Sequence, residues 1–387
     1  MAQDPIYLDH AATTPVRPEV FEAMRPYLGL EAFGNPSSAH ASGRAARAGL
    51  DRARREIAEA LGVGPRQVIF TSGGTEADNL AILGLAHAPS TTAAVGATEH
   101  KAVLAAAHHV AHHVGSELLL PVDPSGVLHL EALDEALARR PAVVSVMWVN
   151  NETGIIQPVA AIADRCHTAG VPFHTDAVQA CGRVPMALGI LPPVLVTLSG
   201  HKLGAPKGIG ALIVPEGLVL APQVHGGGQQ GGIRPGTENV PGAVGLGRAV
   251  ALAVAEQHAT TARLTALRDD LQQRLLTAIT DLVIHGEQAP RAPHILSVGI
   301  PGTDSEALLM HLDLAGLAAS SGSACTTGAV EPSHVMQAMG VPHHLAVATI
   351  RLSLGWTSTA EDVSRAATII PAAVARVRQL GEVLGRV

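Results

Sequence analysis

Aromatic side chains make up only 2% of this 387-residue chain, which removes the stacking platforms that single-stranded nucleic acids use. Cysteine is just as scarce. Three thiols, an odd number, do not make a disulfide framework, so a reducing cytoplasmic setting is expected. Basic clusters are missing too: Arg44, Arg47, Arg52, Arg54 and Arg55 are interleaved with Asp51, Glu56 and Glu59 and read as a solvated helix face. With a net charge of -7, no patch can neutralise many phosphates, so direct nucleic-acid binding is not expected. No apolar run reaches roughly 18 residues, which argues against a membrane span, and the first residues do not resemble a secretory signal.

What is present is the composition of a globular enzyme, 47% hydrophobic and 15% charged, with length enough for two domains. Ala46, Leu50, Ala53, Ile57 and Leu61 recur at helical spacing after Ser37 and Ser38, which are predicted to cap that helix. From Val68 onward short apolar runs alternate with helical segments. Strands are expected at 68–70, 93–97, 117–120, 143–149, 171–174, 194–198 and 211–214. Their continuous apolarity, without alternation, predicts an α/β fold with a mainly parallel sheet covered on both faces. A glycine- and proline-rich stretch at 220–247 and a long helix at 262–279 lead into a second set of elements. The predicted division is a large domain over 16–255 and a smaller α+β domain formed by 1–15 plus 256–387.

In such sheets ligands sit beyond the strand C-termini, and that is where the polar motifs fall. Ser199-Gly200-His201-Lys202 follows the apolar run 194–198 and places a lysine at a strand end, positioned to form a Schiff base with an aldehyde cofactor. Asp176 ends the run 171–176, where a carboxylate can keep a pyridine nitrogen protonated. Thr71-Ser72-Gly73-Gly74-Thr75-Glu76 opens a helix whose bare N–H groups suit a phosphate. Each motif alone is weak. In this order, on successive strand ends, they point to pyridoxal 5'-phosphate (PLP).

With Gly34-Asn35-Pro36-Ser37-Ser38, Glu99-His100-Lys101, Val149-Asn150-Asn151-Glu152, Arg234-Pro235-Gly236-Thr237 and Ser320-Ser321-Gly322-Ser323-Ala324-Cys325, the chain closely resembles the NifS/IscS-like cysteine desulfurases of the class V aminotransferase superfamily. The resemblance spans nearly the whole chain. It implies the fold-type I PLP-dependent architecture, a homodimer, and conversion of L-cysteine to L-alanine with a persulfide left on Cys325. By the same resemblance Lys202 carries the cofactor, His100 stacks on its ring, and Gln179 and Asn151 contact it. Gly74, Thr75, Ser199 and His201 hold the phosphate, together with Thr237 of the partner subunit. Arg351, assisted by Asn35 and Asn151, is the implied substrate clamp, since a guanidinium binds a carboxylate bidentately. The small-residue loop around Cys325 suits a thiol that must move, whereas Cys166 and Cys181 read as packing residues.

The implied partner is a sulfur acceptor, an iron–sulfur scaffold or a tRNA-thiolation protein. Its identity stays open, because the chain ends at Val387, soon after its last helix, where many relatives continue into a docking tail. His10 stands in place of a more usual tyrosine. Rival readings are a selenocysteine lyase or another superfamily reaction and, from a different class, a non-catalytic docking or metal-binding module built on His108, His109, His112 and His113. No metal is expected there, since the histidine cluster itself includes neither cysteine nor carboxylate and the resemblance assigns no metal to this helix.

Overall fold

A computed structural model describes residues 5–321 and 331–383. The chain enters through β1 (Ile6–Tyr7), crosses an irregular segment and forms α1 (Pro18–Leu28) and α2 (Ala41–Leu61). The predicted face of α2 is buried, but the helix begins later than Ser37 and Ser38 suggest. Ser38 N–H bonds back to Asn35 O in a turn, and the Ser38 carbonyl packs so closely on Gly43 that a Cβ there would lie 2.3 Å away. That turn lies over the first helical residues, so His40 becomes the cap, its Nδ1 accepting from Gly43 N at 3.2 Å. Gly62 closes the helix in the left-handed region, φ 70°.

The alternation that follows is β2 (Val68–Thr71), α3 (Gly74–Leu85), β3 (Thr92–Gly96), α4 (Lys101–His113), β4 (Ser116–Leu120), α5 (Leu130–Ala138), β5 (Val143–Ser145), α6 (Val159–Ala169), β6 (Phe173–Asp176), β7 (Val194–Ser199) and β8 (Gly210–Ile213). These seven strands form one sheet in the order β2-β8-β7-β6-β5-β3-β4, in which β8 alone runs antiparallel to its neighbours. Every residue of β2, β5, β6, β7 and β8 is buried, the two-sided cover that the continuous apolar runs require. Strand β5 stops at Ser145 rather than at Val149. Beyond it Val146 N and Trp148 N still bond to the β6 side, but on the other side the Glu99 carboxylate, not a strand, accepts the Met147 N–H.

Helices α7 (Val240–Ala255) and α8 (Gln257–Ala278) follow, α8 starting five residues before the predicted 262. Gly247 lets α7 approach α2 closely, since a Cβ would lie 2.9 Å from the Ala53 backbone. The remaining elements are β9 (Val283–Ile284), β10 (Ile295–Gly299), α9 (Ser305–Leu314), β11 (Leu317–Ala318), β12 (Ser320–Ser321), α10 (His334–Ala338), α11 (His343–Ala346), β13 (Thr349–Ser353) and α12 (Ala360–Val383). Four of them make an antiparallel sheet in the order β12-β13-β10-β9, while β11 pairs in parallel with β1.

Two main hydrophobic cores result. One gathers residues from Val20 to Val250, with Ala292, around the seven-stranded sheet. The other joins Ile6 and Leu8 to Leu271, Leu296, Ile350, Leu352 and Val374. Ile6 and Leu8 are fully buried, so each adds about 2 kcal/mol by the usual transfer scale. That energy fixes the first residues of the chain onto elements made from its last third. Among the described residues no helix is long and apolar enough to cross a membrane.

Candidate active site

A cavity of about 250 Å³ opens beyond the C-terminal ends of β6 and β7. Lys202 stands in a single helical turn directly after β7, and its Nζ donates to the carbonyls of Ala11 at 2.5 Å and Ala12 at 2.6 Å. Burial, reinforced by the charges of Arg351 and Arg183, pulls its pKa down to about 8. An amine so poised is partly unprotonated near neutrality, as a nucleophile or proton carrier must be.

Asp176 ends β6, is 5% exposed, and accepts from Val178 N at 2.8 Å. Burial raises its pKa against the opposing pull of that N–H, His100 and Lys202. Behind it lies Asp78 of α3, also buried, whose Oδ1 has no hydrogen-bond partner among the described residues. Burial and then the Asp176 charge hold Asp78 well above the carboxylate range. Two carboxylates this close in a dry site cannot both stay charged without a cation; Asp78 is the one that keeps its proton. His100 completes the triangle: one ligand atom from each of Asp78, His100 and Asp176 lies within 4.8 Å of the others. The ring of His100 is fixed because its Nδ1 caps α4, accepting from Ala102 N at 3.1 Å.

At the other end of the cavity, α3 presents its N-terminus beside Thr75, Ser199 and His201. No side chain caps that helix among the described residues, so its first-turn N–H groups remain available to an anion. Gly210 of β8 permits this junction, since a Cβ would sit 2.7 Å from the Gly73 backbone. Arg234 holds the outer side of the turn through Glu76, Nε to Oε1 at 2.7 Å. His201, next to Lys202 and half-buried, is lowered to about 4 by desolvation and by the Lys202 charge, so it is neutral.

Gln179 is buried between Ala11 O, to which its Nε2 donates at 2.9 Å, and His294 Nε2, from which its Oε1 accepts at 3.1 Å. Arg351 of β13 enters from the second sheet. Its Nη1 donates to Asn151 O at 2.8 Å and its Nη2 to Asp9 Oδ1 at 2.9 Å, leaving Nε buried and without a partner among the described residues.

Gly74, Thr75, His100, Asn151, Asp176, Gln179, Ser199, His201, Lys202 and Arg351 thus all line one cavity. Asn35 and Thr237 do not. Asn35 is exposed in the turn before α2, its Oδ1 accepting from Ser37 N, and Thr237 is exposed in the loop before α7. Cys325 lies outside the described residues. Cys166 and Cys181 are buried free thiols, each pushed up to about 12 by desolvation, which suits packing and not reactivity. His10 is a buried structural ring between Thr14 Oγ1 at 2.9 Å and Thr357 Oγ1 at 3.0 Å, lowered to about 4 by burial.

The sequence reading missed the polar layer beneath the cavity. Glu99 is 1% exposed, with Oε2 unpartnered among the described residues, and burial raises its pKa to about 8. His174 sits between Ser145 Oγ at 2.8 Å and Thr197 Oγ1 at 3.0 Å, and 3.6 Å from Asp78 Oδ1. The available signal was a polar residue inside a run that is otherwise apolar, at His174 and Thr197.

The donor set fits PLP: an amine of lowered basicity, an ionisable carboxylate for a pyridine nitrogen, and an uncapped helix terminus for a phosphate. The comparisons agree. Residues 6–366 match the class-V aminotransferase family. A cysteine desulfurase of Cereibacter sphaeroides is 45% identical over 379 residues, 97% of each chain, and an IscS-like cysteine desulfurase of Mycobacterium tuberculosis is 42% identical over 96% of this chain and 97% of that one. Among solved structures, a NifS-like protein superposes with a TM-score of 0.87 at 32% identity, over 98% of this chain and 99% of its own. Another, from Rickettsia africae, gives 0.86 at 33% identity, over 96% and 99%. The chain belongs to the class-V aminotransferase family, and within it to the PLP-dependent cysteine desulfurases.

Proposed function

We propose that this protein takes sulfur from L-cysteine, releases L-alanine and leaves a persulfide on Cys325 for a sulfur-acceptor protein. The carrying observation is the meeting, in one cavity, of Lys202 with its lowered basicity, the buried Asp176 and the Arg351 guanidinium. A structure described as SspA in complex with cysteine, 31% identical with a TM-score of 0.78 over 90% of this chain and 98% of its own, supports the choice of substrate. Bound PLP would supply an electron sink for the charge that develops at the substrate Cα.

The residues of the chain do the rest. Lys202 would hold the cofactor, and its amine is the group that would move a proton at the substrate Cα. Asp176 would keep a bound pyridine nitrogen protonated, and His100, Gln179 and Asn151 would hold the ring. The N-terminus of α3, with Gly74, Thr75, Ser199 and His201, would take the phosphate. Arg351 takes the substrate carboxylate, with Asn35 and Asn151 as further contacts. The Cys325 thiolate attacks the substrate sulfur: the Cβ–S bond breaks, an S–S bond forms, and Cβ gains a proton to become the alanine methyl.

A homodimer with Thr237 of the partner subunit at the phosphate is part of this reading, supported by the exposure of Thr237 away from its own cavity. So is the division into 16–255 and 1–15 plus 256–387, supported by the two separate cores. A cytoplasmic location fits a carrier thiol that must stay reduced between turnovers, and the acceptor is an iron–sulfur scaffold or a tRNA-thiolation protein.

The test is Cys325→Ser. L-cysteine should still shift the cofactor absorbance, because the contacts of Lys202, Asp176 and Arg351 are unchanged, while alanine and sulfide fall to background. Alanine formed at the parent rate would make the thiol a bystander and favour a selenocysteine-lyase type of reaction instead.

A further inference from the structure

The last turns of α4 carry His108, His109, His112 and His113. Spacing of four residues stacks them as two pairs along the helix. In the first, His108 and His112 have ring centroids 4.3 Å apart and nearly perpendicular planes, and their Nε2 atoms face each other at 2.9 Å. In the second, His109 and His113 have centroids 4.5 Å apart.

The first pair has something the sequence did not suggest. Helix α4 turns back into β4, and Glu117 of that strand brings Oε1 to 3.2 Å from His108 Nδ1. His108 is thus engaged at both nitrogens, by a carboxylate on one side and a second imidazole on the other. Its side chain is 63% exposed and Glu117 26%, so no buried partner demands this arrangement and an ion in solution can reach it.

Two imidazole nitrogens bound to one ion at roughly 2.0–2.1 Å lie about 2.8–3.4 Å apart, from right-angled to tetrahedral coordination. The observed separation falls within that range, so an ion can replace the hydrogen bond between the two rings after a small adjustment. With its Nε2 on a metal, His108 must carry its proton on Nδ1, and Glu117 is placed to accept it, the carboxylate–histidine relay that orients metal ligands elsewhere. Imidazole donors select Zn²⁺, Ni²⁺ or Cu²⁺ over Mg²⁺ or Ca²⁺. We propose that His108 and His112, with Glu117 bonded behind His108, form a surface site for one imidazole-preferring divalent ion, its remaining positions filled by water.

This site is separate from the cavity. His100 caps the opposite end of α4, so at 1.5 Å per residue the pair lies roughly 12–18 Å along the helix from it. No part of the desulfurase reading is needed for it.

The test is equilibrium dialysis of the untagged, cofactor-loaded protein against Zn²⁺ alone. Cys325→Ser serves as the parent, so that a carrier thiolate does not compete for zinc. The parent should take up one more ion per chain than His108→Ala or His112→Ala. Glu117→Gln should keep the site but weaken it about 10- to 100-fold, and His109→Ala should leave it unchanged. Equal uptake and affinity in the parent and His108→Ala overturns the proposal. Loss in His109→Ala with retention in His112→Ala also overturns it, by moving the ion to the other pair. The near-ultraviolet circular dichroism and cofactor spectrum of each variant check that the fold and the cavity are intact.

Discussion

Glu99 offers a direct test of how the polar layer under the cavity is ionised. Its carboxyl accepts the Met147 N–H, is 1% exposed and leaves Oε2 without a partner among the described residues, and burial lifts its pKa from 4.5 to about 8. An acid whose folded pKa lies above its unfolded value binds its proton more tightly when folded. Its contribution to stability is therefore complete below the unfolded pKa and declines as pH rises towards the folded one. Between pH 6 and 8.5 the unfolded chain holds almost no proton at this position, while the folded chain releases most of one. Integrating that difference gives a loss of roughly 2–3 kcal/mol in the parent. Glu99→Gln keeps an oxygen for the Met147 N–H and cannot ionise. At pH 6 the variant should be slightly less stable than the parent, because a buried amide brings donors that need partners. By pH 8.5 the difference should swing towards the variant by roughly 2–3 kcal/mol. Urea titrations of both cofactor-loaded proteins at the two pH values read this as a crossing of midpoints. Parallel pH profiles would refute the reasoning and mean that Glu99 is charged, or well solvated, throughout.

Three further outcomes are expected. Lys202→Ala should bind the cofactor through phosphate contacts alone, so that borohydride no longer fixes it to the chain; a reduced adduct on another lysine, found by peptide mass spectrometry, would contradict this. Asp176→Ala should weaken cofactor retention and lower turnover by about 100-fold or more; near-normal activity at full occupancy would remove Asp176 from the site. Gly355→Ala places a Cβ 2.2 Å from Nδ1 of His10, a ring pinned by two threonines. Overpacking there should cost about 1–3 kcal/mol, and an unchanged urea midpoint would show that the ring can yield.

Much of the architecture is legible in the chain because two-sided burial leaves a plain mark. Runs such as 194–199 and 210–213 lie buried on both faces, and the parallel pairing of β3, β4, β5 and β6 follows from the helices between them, while β8 runs antiparallel. The motifs at strand ends are visible for the same reason, since polar residues stand out at the close of an apolar run. What escapes is whatever depends on distant partners. Asp9 meets Arg351 across nearly the full chain, and nothing local to either announces the pair. Asp78 looks like an ordinary helical residue until α3 packs it behind Asp176. Glu117 seems unrelated to the histidines until the turn after α4 reverses direction. The start of α2 is misjudged because a serine is a good cap only where the preceding backbone is free, and the Asn35–Ser38 turn occupies that space.

The pairing of β1 with β11 carries a consequence for synthesis. Ile6 aligns with Leu317, and Asp9 bridges to Ser353, so β1 leaves the ribosome long before its partners do. At ordinary elongation rates that interval is roughly 15–60 s. Meanwhile the carbonyls of Ala11 and Ala12 have no fixed place against Lys202, and Arg351 has not been made. A nascent chain can assemble the seven-stranded sheet, and even gather a phosphate at α3, while remaining chemically idle. Reactivity towards sulfur is thus withheld until Arg351 has been made and β1 has found β11, a timing set by strand order with no inhibitor required.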